Sequence, residues 1–423
     1  MKRYLLLVCA SLIFNFQFSI FNSAQAQSVK IIFAGDLMGH MPQHNAAKQA
    51  DGSYDYSPCF RYVKDYIQSA DLAILNLEVP LAGKPYSGYP QFSAPDALAA
   101  CTKEAGFDIM TTANNHCMDR GQKGLERTIQ ALDSLEIPHL GTYRNRTERD
   151  ASQPLIIEVN GFTLALLTYT YGTNGIPVVA PNVVNFIDTA EMARDLRVAR
   201  EQGAEYVITL IHWGIEYAVK ANKEQEQTAR WLLEHGCDAV IGGHPHVVQN
   251  FTLDAIPDND RYPEIVVYSM GNLVSNQRDV NCDGGIMVEL TLERMINLGS
   301  DNKTPSSTIF QSCSYLPYWV HRGTVDSLYQ YYIVPSTDAV AYPDSYQISG
   351  DQLKALQLFD NNTRKRLEAC ALKDGRNITE RIFYRNTLPI HPKASGVVPL
   401  RGNPLLRALL QEKTKNSTNN KNK

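Results

Sequence analysis

The sequence predicts an α/β fold in which mixed β-sheets are flanked by helices, and three observations carry that prediction. Short β-branched runs alternate with helical patterns along most of the chain. Asn160-Gly161 separates two apolar runs, 156–159 and 162–167, and a two-residue turn needs positive φ at both positions, so an antiparallel hairpin interrupts an otherwise parallel pattern. Charged and imidazole side chains also cluster just after the strand-like runs, where open α/β sheets place their ligands.

Taken in order, the chain begins with Lys2 and Arg3, an apolar run over 4–21 and then Ala24-Gln25-Ala26, the pattern of a signal peptide over 1–26 removed after Ala26. The alternative is an N-terminal membrane anchor, although Asn15 and Gln17 leave the run marginal for a hydrocarbon core about 30 Å thick. Export to the periplasm or cell surface follows from the first reading. Strands are expected at 29–34, 72–76, 108–112, 164–169, 206–211, 239–242 and 265–269. Helices are expected at 121–135, 189–202 and 223–235, the last two stopped by Gly203 and Gly236. The main domain is read as 27–292. A polar stretch at 299–307 then changes the texture, and strand-like 308–321 and 329–334, a helix over 351–372 and a Pro-containing segment from 388 make up an extension over 293–411 packed on the core. Residues 412–423 are almost entirely Lys, Asn, Ser and Thr and read as a disordered tail.

A chain of 423 residues with 44% hydrophobic content can bury a large core in one or two domains. A net charge of -4 and a pI of 6.2 offer no basic stripe for a phosphate backbone, so no nucleic-acid partner is expected. Loss of the leader removes Cys9 and leaves seven of the eight cysteines with no C-x-x-C pair, so no disulfide framework is expected.

The chemistry is carried by the residues that follow each strand. Gly35-Asp36 is followed by His40, and Asn76-Leu77-Glu78 ends the second run. Then come Asn114-Asn115-His116 with Asp119, His212-Trp213-Gly214 with Glu216, Gly243-His244-Pro245-His246, and Ser269-Met270-Gly271-Asn272. Asp36, His40, Glu78, Asn115, His212, His244 and His246 form a nitrogen and oxygen donor set suited to one or two divalent ions such as Mn, Fe or Zn. Carboxylates can bridge two such ions, and a trapped water then supplies the nucleophile. Structural readings stand beside these: Asp36 as the cap of a following helix, Asn115 and His116 as turn formers, His244 and His246 as a structural pair in a Gly-rich turn, and Glu216 and Asp119 as surface residues where they do not orient imidazoles. His139, His235 and His391 read as surface or packing residues, His44 and His321 stay open, and Trp213 reads as core.

The ordered set G-D-L-M-G-H, N-L-E, N-N-H-C-M-D-R-G, H-W-G-I-E, G-G-H-P-H-V and S-M-G-N, from about residue 30 to 276, resembles the CapA (poly-γ-glutamate capsule synthesis) family. That family is a branch of the calcineurin-like metallophosphoesterases. The resemblance implies a layered sandwich of mixed sheets flanked by helices. It also implies metal ligands at Asp36, Glu78, Asn115, His212, His244 and His246, and a catalytic His116 that contacts the phosphate or protonates the leaving group; Asp119 is read from its position as the second catalytic residue beside it. Met38 stands where the superfamily has the His of Asp-x-His, and Asn76-Leu77-Glu78 stands in place of its Gly-Asp. The function implied is a secreted metal-dependent hydrolase, phosphoesterase-like, acting on an anionic polymer or phosphoester beside the capsule or polymer synthesis machinery at the membrane. A non-catalytic metal- or polymer-binding component of such a complex is the other reading.

Overall fold

The computed structural model describes residues 27–254, 264–297, 306–368, 379–380 and 398–401. The strand Gln27–Leu37 is buried from Ile31 onward, and burial on both faces explains why its sequence runs apolar without alternation. It lies inside a nine-stranded sheet. Leu72–Leu77, Ile109–Thr111 and His139–Leu140 continue the sheet on one side as parallel strands. On the other side the antiparallel strands Gly284–Asn297, Ser306–Val325 and Leu328–Pro335 follow.

A second sheet of seven strands contains the parallel set Phe162–Thr170, Tyr206–His212, Ala239–Gly243 and Glu264–Val267. The hairpin predicted from Asn160-Gly161 joins Leu155–Val159 to Phe162–Thr170, with φ of 48° and 80° at the two turn residues. Both sheets are therefore mixed. They pack face to face, with Ile31, Phe33 and Ile74 of the first against Leu164, Leu166, Ile208 and Ile241 of the second. Each such fully buried side chain contributes roughly 1.5–3 kcal/mol.

Helices cover the two outer faces. Asp96–Ala105 lays Leu98, Ala99 and Cys101 on the first sheet, while Thr189–Glu201 and Lys223–Glu234 lay Met192, Leu196, Ala229 and Leu232 on the second. Their starts are built into the sequence: Asp188 accepts from the Ala190 and Glu191 N–H groups, and Asn222 and Gln225 form a reciprocal capping box. The result is a helix–sheet–sheet–helix sandwich. Helices Gly121–Ser134, Thr189–Glu201 and Lys223–Glu234 stop one residue before the expected ends, which is ordinary fraying.

Position 292 falls inside the strand Gly284–Asn297, whose pairing with the first strand runs from Gln27 with Arg294 to Phe33 with Val288. The later strands Ser306–Val325 and Leu328–Pro335 widen that same sheet, and the helix Gly350–Glu368 packs Leu356 and Phe359 against Trp319 and Tyr332. Within Gly284–Asn297 the residues from Val288 to Glu293 alternate apolar and polar, a strand signal that the sequence reading did not use. The leader 1–26, the end of the expected 351–372 helix, most of the segment after 388 and the tail 412–423 lie outside the described residues. Among the described residues no helix is long and apolar enough to cross a membrane, and Cys59, Cys101, Cys117, Cys237, Cys282 and Cys313 are all free.

One buried ion pair ties the outer layer of the second sheet together. Arg149, 2% exposed, reaches Asp195, 1% exposed, through both of its terminal nitrogens, with Nη1 at 2.7 Å from Oδ1, and the Tyr169 hydroxyl donates to the same carboxylate at 2.7 Å. Removing one partner of such a pair strands the other charge in the interior. Asp195→Ala should lower the unfolding free energy by about 3–5 kcal/mol in chemical denaturation. A loss below about 1 kcal/mol, the worth of a surface pair, would contradict this assignment.

Candidate metal centre

Asp36 is delivered by the end of the first strand, and glycine just before it makes that placement feasible. A Cβ on Gly35 would stand 1.9 Å from the Gly271 carbonyl oxygen, whereas glycine lets the Asp36 N–H donate to that oxygen at 3.1 Å. The carboxylate is fully buried. It caps no helix: Oδ1 accepts from Asn76 Nδ2 at 2.8 Å and Oδ2 accepts from the His244 N–H at 3.0 Å. Gly243 admits it from the second sheet, since a Cβ there would meet Asp36 Oδ1 at 2.8 Å.

Glu78 follows the strand Leu72–Leu77 and is 0% exposed, yet neither carboxylate oxygen has a hydrogen-bond partner. Its Oε1 lies 3.3 Å from His212 Nε2 and 3.8 Å from His246 Nε2. Two clusters share it. In one, Glu78, His212 and His244 place ligand atoms within 4.8 Å of one another, and in the other Asp36, Glu78 and His246 do the same. Asn115 adjoins the first cluster, its Oδ1 2.8 Å from His212 Nε2. Donor atoms that share one cation at about 2.1 Å stand about 3 Å apart at right angles.

His244 and His246 flank Pro245 with φ of 96° and 59°, left-handed values that a non-glycine residue holds only at a cost of order 1–3 kcal/mol each. The turn is secured by the His244 N–H to Asp36 and by the Tyr217 N–H, which donates to the Pro245 carbonyl at 2.8 Å. His246 is aimed by Asn272, whose Oδ1 is 3.0 Å from its Nδ1. His244 Nδ1 is buried without a partner.

The charges are strongly coupled. Burial alone would raise Asp36, but the His246 hydrogen bond, the charges of His212 and His246 and the Asn76 amide outweigh it and hold the carboxyl below the usual range. Glu78 is pushed up by burial and by the Asp36 charge. His244 is pushed down to about 2 by burial and by the neighbouring imidazoles. Burial would lower His246 too, but the Glu78 and Asp36 carboxylates raise it to about 9.

Beside the centre stands His116, 5% exposed, with Nδ1 2.8 Å from Asp119 Oδ2. Asp119 also accepts from the Phe92 N–H at 2.8 Å, and Phe92 meets the His116 ring edge-on. Burial pushes the imidazole down, while the Asp119 hydrogen bond and the Glu78 charge prevail and leave it above its ordinary value. Asp119 thus acts through His116.

Of the residues expected to converge, Asp36, Glu78, Asn115, His212, His244 and His246 are brought together, with His116 and Asp119 alongside. His40 belongs to neither cluster. It precedes the helix Met41–Ala47, and its Nδ1 is 3.1 Å from Gln43 Oε1. Glu216 is exposed and belongs to neither cluster, Trp213 is buried with Nε1 donating to the Tyr268 carbonyl, and His44 and His321 are buried away from the ligands. The sequence reading missed Tyr171, half-exposed with its ring 4.6 Å from that of His244, and Asn174, which contacts Asn115 and His116. Both lie on the loop after Phe162–Thr170, where no local signal connects them to the site.

This donor set fits a pair of divalent cations. It contains only nitrogen and oxygen, it leaves Glu78 and His244 atoms buried without partners, and it shares one carboxylate between two clusters. A cation must displace the His246 proton, so affinity depends on pH. In the metal-free protein a raised histidine stabilises the fold below pH 6.5 and loses that contribution as pH rises through about 9. Metal affinity should therefore rise with pH between about 7 and 9, by about tenfold per unit for one displaced proton. Chelator competition at several pH values measures this, and a flat profile would contradict it.

The comparisons agree with the motif order. The family model described as bacterial capsule synthesis protein PGA_cap matches residues 30–277. The chain is 29% identical over 266 residues to the "Capsule biosynthesis protein CapA" of Bacillus anthracis, which covers 59% of this chain and 61% of that protein. It is 26% identical over 282 residues to the "PGA biosynthesis protein CapA" of Bacillus subtilis (strain 168), covering 62% of this chain and 67% of that one. Among solved structures, a 5'-nucleotidase from Candida albicans SC5314 aligns over 82% of this chain and 60% of that chain at 11% identity, with a TM-score of 0.37, too weak a likeness to bear on the site. With the family model matching from residue 30 to residue 277 of 423, the chain belongs to the CapA family of bacterial capsule synthesis proteins.

Proposed function

We propose that this protein is an exported metal-dependent hydrolase of capsule or poly-γ-glutamate-type polymer biosynthesis, phosphoesterase-like in its chemistry, cleaving a phosphoester or an amide or ester linkage in an anionic polymer. The observation that carries the reading is Glu78, a fully buried carboxylate without a hydrogen-bond partner, shared by two ligand clusters and adjoined by a His–Asp pair. The names of the relatives supply the capsule context, and the polymer synthesis machinery at the membrane is the proposed partner. Export rests on the leader-like segment 1–26.

Asp36, Glu78, Asn115, His212, His244 and His246 would hold the cations. Bound there, divalent ions would polarise the scissile group and lower the pKa of an attacking water. The protein supplies the remaining parts. His116 has Nδ1 committed to Asp119, so the proton it can give to a departing oxygen sits on Nε2. That proton is present only on the imidazolium, which Asp119 and Glu78 keep protonated at higher pH than an ordinary imidazole, and after its transfer Asp119 holds the neutral ring as the Nδ1–H tautomer. Phe92 supports the ring from the side.

His244→Ala and His246→Ala should lose both metal and turnover of a generic phosphodiester, because a missing imidazole has no replacement nearby. His116→Ala should keep the metal and lower turnover by about 10²–10⁴-fold, with a smaller loss for leaving groups that need no proton. A His116→Ala protein that loses its metal would make His116 a ligand. Full activity in all three variants would place catalysis outside this centre, and absence of turnover in the metal-loaded wild-type protein would point to a non-catalytic binding component.

Intact mass of the exported protein should show an N-terminus at Gln27. Retention of Met1 in the membrane fraction would show an anchor.

A further inference from the structure

Asn174 lies in the loop after the strand Phe162–Thr170, at the tip of a turn closed by the Ile176 N–H donating to the Thr173 carbonyl at 2.9 Å. The two central residues, Asn174 and Gly175, have φ of 52° and 75°. Positive φ at both central positions is the pattern of a type I′ turn, and it suits an Asn-Gly pair on backbone grounds alone. The Asn174 side chain nevertheless turns toward the metal centre. Asn115 Nδ2 donates to Asn174 Oδ1 at 3.2 Å, while the opposite end of the same amide, Asn115 Oδ1, stands 2.8 Å from His212 Nε2. Asn174 Nδ2 is 3.4 Å from His116 Nδ1, outside the shorter contact to Asp119.

A primary amide can turn over by 180°, and only its surroundings decide which end faces a cation. In the opposite orientation the Asn115 oxygen would face Asn174 Oδ1, acceptor against acceptor, and its NH₂ would face the ligand cluster, where it can bind nothing cationic. The oxygen of Asn174 penalises that orientation. The Tyr171 hydroxyl, on the same loop, is a second polar neighbour of the Asn115 amide.

We propose that Asn174 is a positioning residue of the metal centre: its side-chain oxygen holds the Asn115 amide so that Asn115 Oδ1 faces the cation beside His212 and Glu78. The proposal rests on the metal reading of the site. It assigns a ligand-orienting role to a loop that contributes no ligand itself, and it separates two reasons for an asparagine at this position, because the turn needs only a residue tolerant of positive φ whereas the orientation needs an acceptor.

The test uses the full chain, stripped by chelator and titrated with Co²⁺ alone. Asn174→Gly keeps a turn-compatible backbone and removes the acceptor. Asn174→Asp keeps an acceptor and also tolerates the left-handed conformation. The glycine variant should bind Co²⁺ about 10–100-fold more weakly, the usual cost of losing a group that orients a ligand. Its visible Co²⁺ spectrum should change as the Asn115 oxygen leaves the coordination shell, while its metal-free unfolding midpoint stays at the wild-type value. The aspartate variant should retain the wild-type spectrum, which added negative charge alone would not secure. Wild-type affinity and spectrum in Asn174→Gly would overturn the proposal while leaving the metal centre intact, and so would loss of the wild-type spectrum in both variants. Failure of the wild-type protein itself to bind Co²⁺ would instead overturn the metal reading on which the proposal stands.

Discussion

Asp36 and Glu78 bring two carboxylates into the interior of one protein, in a cluster whose ligand atoms lie within 4.8 Å of one another. At an effective dielectric of about 20, unit charges at that separation repel by on the order of 3 kcal/mol, before either has lost its water. The pair is sustained by what surrounds it. Asn76 and the His244 N–H stabilise Asp36, the charge of His246 favours both carboxylates, and Glu78 carries the residual cost as a raised pKa. A divalent cation would remove the repulsion and occupy the oxygens that no hydrogen bond reaches.

The architecture follows from the need to bring those groups together. Neither sheet carries the site alone. The first contributes Asp36, Glu78, Asn115 and His116 from successive parallel strands, and the second contributes His212, His244 and His246. Face-to-face packing of the sheets aligns the carboxyl ends of both parallel sets over one cleft. The apolar core between the sheets fixes this alignment, and the left-handed backbone at His244 and His246 is the local strain that the core and the Asp36 contact sustain.

Much of this was legible in the sequence, and for identifiable reasons. The alternation of apolar runs and helical stretches revealed the layered α/β class, and Asn160-Gly161 revealed the mixed sheet, because both signals are local. The candidate ligands stood out because each follows a strand and sits beside glycine or another polar residue. His40 did not join them, since its proximity to Asp36 in sequence reflects the start of a helix. The strand Gly284–Asn297 carries an alternating pattern over 288–293 that the sequence reading passed over, and its pairing with Gln27–Leu37 spans the whole length of the domain, beyond any local pattern. Asn174 and Tyr171 were invisible for the same reason: only the fold carries their loop to Asn115 and His244.

The proposed centre depends on Glu78 serving two cation sites at once. Anomalous diffraction from crystals soaked in Mn²⁺ tests it most directly. Two peaks are expected to flank the Glu78 carboxylate, one beside His212 and His244 and the other beside Asp36 and His246. Peaks confined to surface carboxylates, with Glu78 left without a cation, would contradict it.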